Sequence, residues 1–100
     1  MKKEAQERKN IPVYSGVIKY FYLALKEVAK VSKAGNDQHN HGKPLFWDRT
    51  KSSDEMDALT RHLIDYASGI KKDTDGQLHL AKMCWRGLAA LQKELEKDGQ

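Results

Sequence analysis

Three polar islands carry the residues that could do chemistry. The first, Gly35 to Trp47, holds His39 and His41 with Asn36, Asp37 and Asn40, and closes on Pro44 and two aromatics. The second, Ser53 to Tyr66, sets Asp54, Asp57, Arg61, His62 and Asp65 at three- and four-residue steps, so that a helix would gather them on neighbouring turns. The third is Asp73-Thr74-Asp75-Gly76-Gln77-Leu78-His79, with Lys82 and Arg86 following His79 at helical steps. Apolar periodic segments separate the islands. That is the pattern of a site assembled between helices.

The chemistry these residue types allow is mainly that of phosphates. Glu27, inside the first apolar segment, together with Asp54, Asp57 and Asp65 could hold Mg²⁺ through carboxylates from two helices, and such an ion activates phosphates. Arg61, Lys82 and Arg86 suit phosphate neutralisation, and Arg61 cannot lose its charge. Trp47 and Trp85 could stack a base. Plain structural roles compete with each of these. Glu27 can pair with Lys30, His62 can be a core histidine bonded to Asp65, and both tryptophans can be core. A zinc site on His39-x-His41 would need two further ligands from Asp37, His62 or His79. The Asp73–Gly76 run looks like a fragment of a calcium loop, but the closing glutamate is absent. There is no Cys-x-x-Cys, His-Glu-x-x-His, phosphate-binding lysine loop or GxGxxG.

The elements that must position these groups are helices. One hundred residues make one domain with a modest core. The N-terminal residues 1–12 read as a charged arm, and 13–97 as a single helical domain. Helix one should start at Tyr14 or Ser15, with Ser15 as N-cap, and stop at Gly35. Its stripe of Val17, Ile18, Phe21, Leu25, Val28 and Ala29 is widened by Tyr20, Tyr22, Leu23 and Val31. That is more apolar surface than two partner helices need, so a homo-oligomer is expected. A polar loop over 35–52 leads to helix two, about Asp54 to Ala67, capped by Ser52 or Ser53 and ended by Gly69. Helix three runs from Gln77 or Leu78 to Glu96. The expected fold is all-α, a small bundle of three main helices with a long polar loop between the first and second.

Composition narrows the partners. The single cysteine, Cys84, excludes an intrachain disulfide. No apolar run reaches membrane-spanning length, and the N-terminus lacks the apolar core of a signal peptide, so a cytoplasmic location is expected. A net charge of +4 allows phosphate-bearing partners, either nucleotides or nucleic acid.

Four runs in order then resemble a known family. They are LALKEVAKVSKAGNDQHN (Leu23 to Asn40), PLFWDR (Pro44 to Arg49), DALTRHL (Asp57 to Leu63) and DTDGQLHLAKMCWRGLAAL (Asp73 to Leu91). Over about residues 13–95 the chain is similar to the phage-associated dATP/dGTP diphosphohydrolase family, of its N-terminal-domain type. Glu27, Asn36, Trp47, Arg61, His62, Asp73, Asp75 and His79 stand at matching positions. The resemblance implies a helical protein of the host cytoplasm that cleaves purine deoxynucleoside triphosphates to monophosphate and pyrophosphate with Mg²⁺ or Mn²⁺. On this reading Glu27, His62 and His79 are catalytic, and Glu27, Asp54 and Asp57 hold the metal. Lys30, Asn36, Trp47, Arg61, Lys82 and Arg86 would bind ligand and phosphate. Lys82 and Arg86 replace a histidine and an asparagine common in relatives, which makes the site more cationic than a magnesium site should be. A second reading follows: a non-catalytic anti-defence protein that sequesters a nucleotide or a nucleotide-derived immune signal without a metal. The third is a small nucleic-acid-binding protein, which the acids of helix two oppose.

Overall fold

The apolar periodicity is realised as helices. In the computed structural model, which describes residues 2–98, α1 spans Lys2–Lys9, α2 Lys19–His39, α3 Glu55–Ala67 and α4 His79–Lys97. Among the described residues no strand forms, and one antiparallel bridge, Lys72 to Leu78, sits in the α3–α4 connection. The fold is all-α with three main helices, as the sequence indicates.

Several boundaries differ from expectation. A π-helical turn, Tyr14–Ile18, leads into α2, and Phe21 departs from helical geometry (φ −118°, ψ 27°), which kinks the helix there. Ser15 lies inside that turn and caps nothing. Gly16 allows the Pro12 ring close approach, since a Cβ there would meet Pro12 Cγ at 3.3 Å. Gly35 does not end α2. A helical glycine costs only about 1 kcal/mol, and the next residue, Asn36, has its side chain committed to the following loop from a helical position. The helix therefore continues to His39, and the connection begins at Asn40. Neither serine caps α3; Asp54 holds the cap position, and the Ser52 hydroxyl donates to Asp54 Oδ1 at 2.6 Å. Gly69, with φ +94°, provides the left-handed residue after α3.

Cross-helix partners show how α3 and α4 pack. Glu55 meets Lys93, Leu59 lies opposite Gly87, and His62 meets His79, so the two helices run antiparallel. Helix α2 packs on α4, and its backbone makes no close approach to α3.

The apolar core is thin. Val28, Ala58, Ala81 and Ala89 are its buried members. The radius of gyration is 16.0 Å, against about 13 Å for a compact chain of this length. A band of Ile11, Tyr14, Tyr20, Tyr22 and Leu23 leaves each side chain more than half exposed.

Candidate functional site

The connection from α3 to α4 builds one wall. Asp73 N donates to Gln77 O at 2.8 Å and His79 N to Lys71 O at 2.9 Å, with Gly76 at φ +84° turning the chain. In such an antiparallel pair, alternate residues share a face, so Asp73, Gln77 and His79 project to one side. That side meets α3. His79 is 2 % exposed, and its Nδ1 lies 2.9 Å from Nδ1 of His62. At that separation either one ring donates and the other accepts, or both turn lone pairs to one cation. Asp65 Oδ2 stands 3.8 Å from His79 Nε2. Burial holds the His62 imidazolium pKa below its usual range, and the nearby Lys82 ammonium adds to this.

Lys82 is clasped by the same turn. Its Nζ donates to Asp73 Oδ2 at 2.7 Å and to Asp75 Oδ2 at 2.9 Å. The Lys82 hydrogen bond, with a second from the Thr74 amide, lowers the Asp73 carboxyl to about 2. Asp75 is lowered by the same ammonium. Burial opposes the charge on Lys82, but the two carboxylates outweigh it and its pKa rises.

A second polar group joins α3, α4 and the loop before them. The buried Glu55 accepts from Arg86 Nη1 at 3.4 Å and from Lys93 Nζ at 3.2 Å, and Arg86 also donates to Ser52 Oγ at 3.0 Å. Lys93 also donates to the Ser52 carbonyl.

Asn36 folds the long loop back over these groups. Its Nδ2 donates to Lys43 O at 3.1 Å, and its Oδ1 accepts from Phe46 N at 3.1 Å and from Asn40 Nδ2 at 3.3 Å. The loop then delivers Trp47 edge-to-face against Trp85, with centroids 5.5 Å apart. Arg49 covers the Trp47 ring at 4.2 Å and grips Glu96 with two hydrogen bonds of 2.7 and 2.8 Å, which ties the loop to α4.

These walls enclose a cleft of about 420 Å³ between the end of α2, the loop, and the facing parts of α3 and α4. That volume lies in the usual range for small-molecule sites, roughly 300–1,000 Å³. Trp47, Trp85, Lys82, Arg86, His62 and Asn36 line it, and His79 stands behind His62. Asp48, Glu55, Asp73 and Asp75 also line it, against Lys51, Lys82 and Arg86, and Lys93 pairs with Glu55 from behind, so with neutral histidines these charges cancel. The excess of positive charge expected from Lys82 and Arg86 is thus absent: each is neutralised by carboxylates from neighbouring segments.

Other expected site residues lie elsewhere. Glu27 and Lys30 pair with each other at 2.6 Å on α2, away from the cleft. Arg61 and Asp54 meet at 3.5 Å on the surface, and Asp57 is exposed beside a shallow hollow near Lys93. The expected metal trio of Glu27, Asp54 and Asp57 is not assembled: Glu27 lies on α2, whose backbone makes no close approach to α3, and among the described residues the ligand atoms that come together are those of His62, Asp73 and His79. The carboxylate set for Mg²⁺ therefore does not fit this structure. Asn36 lines the cleft, but most of its hydrogen-bonding capacity is taken by the loop. Glu55 and Ser52 were not among the expected residues. The spacing Glu55, Ala58, Leu59, His62 is a helical stripe, and it marks Glu55 as lying on the buried face.

Fold and cleft together define a class: a small all-helical protein with a half-enclosed site that joins aromatic rings, cations and carboxylates. Within that class the chain belongs to the dATP/dGTP diphosphohydrolase, N-terminal family, whose sequence model matches residues 2–100. The family places it among nucleotide-handling proteins. Searches of curated proteins and of solved structures each found no match. No helix among the described residues is long and apolar enough to cross a membrane.

Proposed function

We propose that the cleft binds a purine nucleoside triphosphate and supports its hydrolysis to monophosphate and pyrophosphate. The observation that carries this is the placing of Trp47 and Trp85 on the same cleft as Lys82 and Arg86. An aromatic pair offers a face or edge to a base, and paired cations on another wall can exchange carboxylate oxygens for phosphate oxygens. In the overall reaction water forms a bond to the α-phosphorus, the α–β bridge breaks, and pyrophosphate leaves. The lack of unpaired positive charge on the lining favours a metal-assisted form of this reading over metal-free capture, since a polyphosphate needs compensating charge.

The test is incubation with a panel of deoxynucleoside and ribonucleoside triphosphates and cyclic dinucleotides, with and without Mg²⁺, Mn²⁺ or Zn²⁺. Products are separated by chromatography after the protein is denatured. Metal-dependent release of monophosphate and pyrophosphate, abolished in Arg86→Ala, is the expected result. Ligand depleted by native protein yet recovered intact would replace hydrolysis with sequestration. No turnover and no depletion would refute both and direct attention to nucleic acid.

The same reading includes self-association. The thin core and the exposed band from Ile11 to Leu23 leave apolar surface that a second copy of the chain can cover. Sedimentation velocity should show a species heavier than the 11.4 kDa chain, and Tyr20→Glu with Leu23→Glu should return it to monomer. A sharp monomer for the unaltered protein would overturn this.

A further inference from the structure

We propose that His62, Asp73 and His79 form a binding site for one divalent transition-metal ion of the zinc, cobalt and manganese class, at the floor of the cleft. One donor atom from each of the three lies within 4.8 Å of the other two. The two Nδ1 atoms are 2.9 Å apart. Nitrogens bound to one ion at about 2.1 Å stand roughly 3–3.5 Å from each other, so the imidazoles are already close to ligand spacing. The backbone turn between Asp73 and Gln77 adds the carboxylate, on the same face as His79.

Asp65 Oδ2 stands 3.8 Å from His79 Nε2, outside hydrogen-bond reach; a small approach on metal binding would hold the ring proton on that nitrogen and leave the Nδ1 lone pair facing His62. A carboxylate behind a ligating histidine is the usual means of fixing and strengthening it. Lys82 competes for Asp73, but it is also held by Asp75 at 2.9 Å. It can remain on Asp75 while one Asp73 oxygen turns to the ion. Two imidazoles and one carboxylate form a borderline donor set, which favours zinc, cobalt or manganese over Mg²⁺ with its demand for oxygen ligands. His62 and Asp73 both line the cleft, so the remaining coordination positions face it. This site needs no nucleotide for its existence. If the nucleotide reading also holds, the ion supplies the charge that the lining lacks.

Metal binding alone tests the proposal. Co²⁺ is titrated into chelator-treated protein and followed by visible absorption, and Zn²⁺ by calorimetry, with no nucleotide present. The variants are His62→Ala, Asp73→Asn and the loop variant His41→Ala, each checked for folding by circular dichroism. Asp73 lies in a partly exposed turn, so its variant is informative even if His62→Ala unfolds. The expected result is one ion per chain, weakened about tenfold or more in His62→Ala and in Asp73→Asn. Binding should be unchanged in the loop variant and resist millimolar Mg²⁺. Absence of stoichiometric binding, equal binding in Asp73→Asn, or loss only in the loop variant would overturn it. Failure of the nucleotide panel would leave this titration unaffected, so the two readings fall separately.

Discussion

Replacing Glu55 by alanine is expected to lower unfolding free energy by about 2–3 kcal/mol, the largest effect of any single charge removal in this chain. Glu55 is 7 % exposed and is the shared partner of Arg86 and Lys93, both of which are mostly covered. Removing it leaves two cations on one face of α4, two turns apart, with only Ser52 to receive them. Breaking a fully buried pair costs about 3–5 kcal/mol, and the contacts here are longer and the cations partly wet, which reduces the figure. Glu55→Gln should recover part of the loss, because the amide oxygen still accepts one hydrogen bond. Asp57→Ala, two residues along and exposed, should change stability by less than about 0.5 kcal/mol. Urea unfolding of the three variants makes the comparison. A Glu55→Ala shift as small as that of Asp57→Ala would show that the network contributes little.

Asn36→Ala is expected to cost about 2–3 kcal/mol and to release the loop from the cleft. The side chain is buried, and its oxygen and nitrogen together bind Phe46 N, Lys43 O and Asn40 Nδ2. Without them the Phe46 amide and the Lys43 carbonyl lose their partners. The loop is then held chiefly by the Trp47–Trp85 contact and the Arg49–Glu96 pair. Hydrogen exchange gives a site-specific reading: protection at the Phe46 amide should fall far more than protection in the middle of α4. Asn36→Asp keeps the acceptor for Phe46 but sets an oxygen against the Lys43 carbonyl, so it should retain Phe46 protection while still losing stability. Equal protection at Phe46 in Asn36→Ala and the unaltered protein would remove Asn36 as the loop anchor.

These two residues mark where the sequence was legible and where it was not. Asn36 stood out as a polar residue at a matching family position, and a ligand contact was the natural reading. The structure gives it a supporting role, because a buried amide facing a returning loop satisfies backbone groups that water cannot reach. Glu55 was hidden by its neighbours. Among Asp54, Glu55 and Asp57, composition alone offers no reason to select the middle acid, although the helical stripe through Ala58, Leu59 and His62 does.

Taken alone, the sequence determined the helical class, the three main segments, the turns at Gly69 and Gly76, and the family. Each of these depends on short-range physics, namely the 3.6-residue period, the left-handed freedom of glycine and the order of local motifs. Only the tertiary structure decided which islands meet. Helix α2 packs on α4 without its backbone approaching α3, so Glu27 does not join Asp54 and Asp57, whereas His62 on α3 converges with Asp73 and His79 from the stretch that follows it. It also decided the charge of the cleft, because Lys82 and Arg86 carry partners that lie 7 to 34 residues away along the chain. Long-range proximity is set by how the helices pack on one another, and the spacing of residues along a single helix does not contain it.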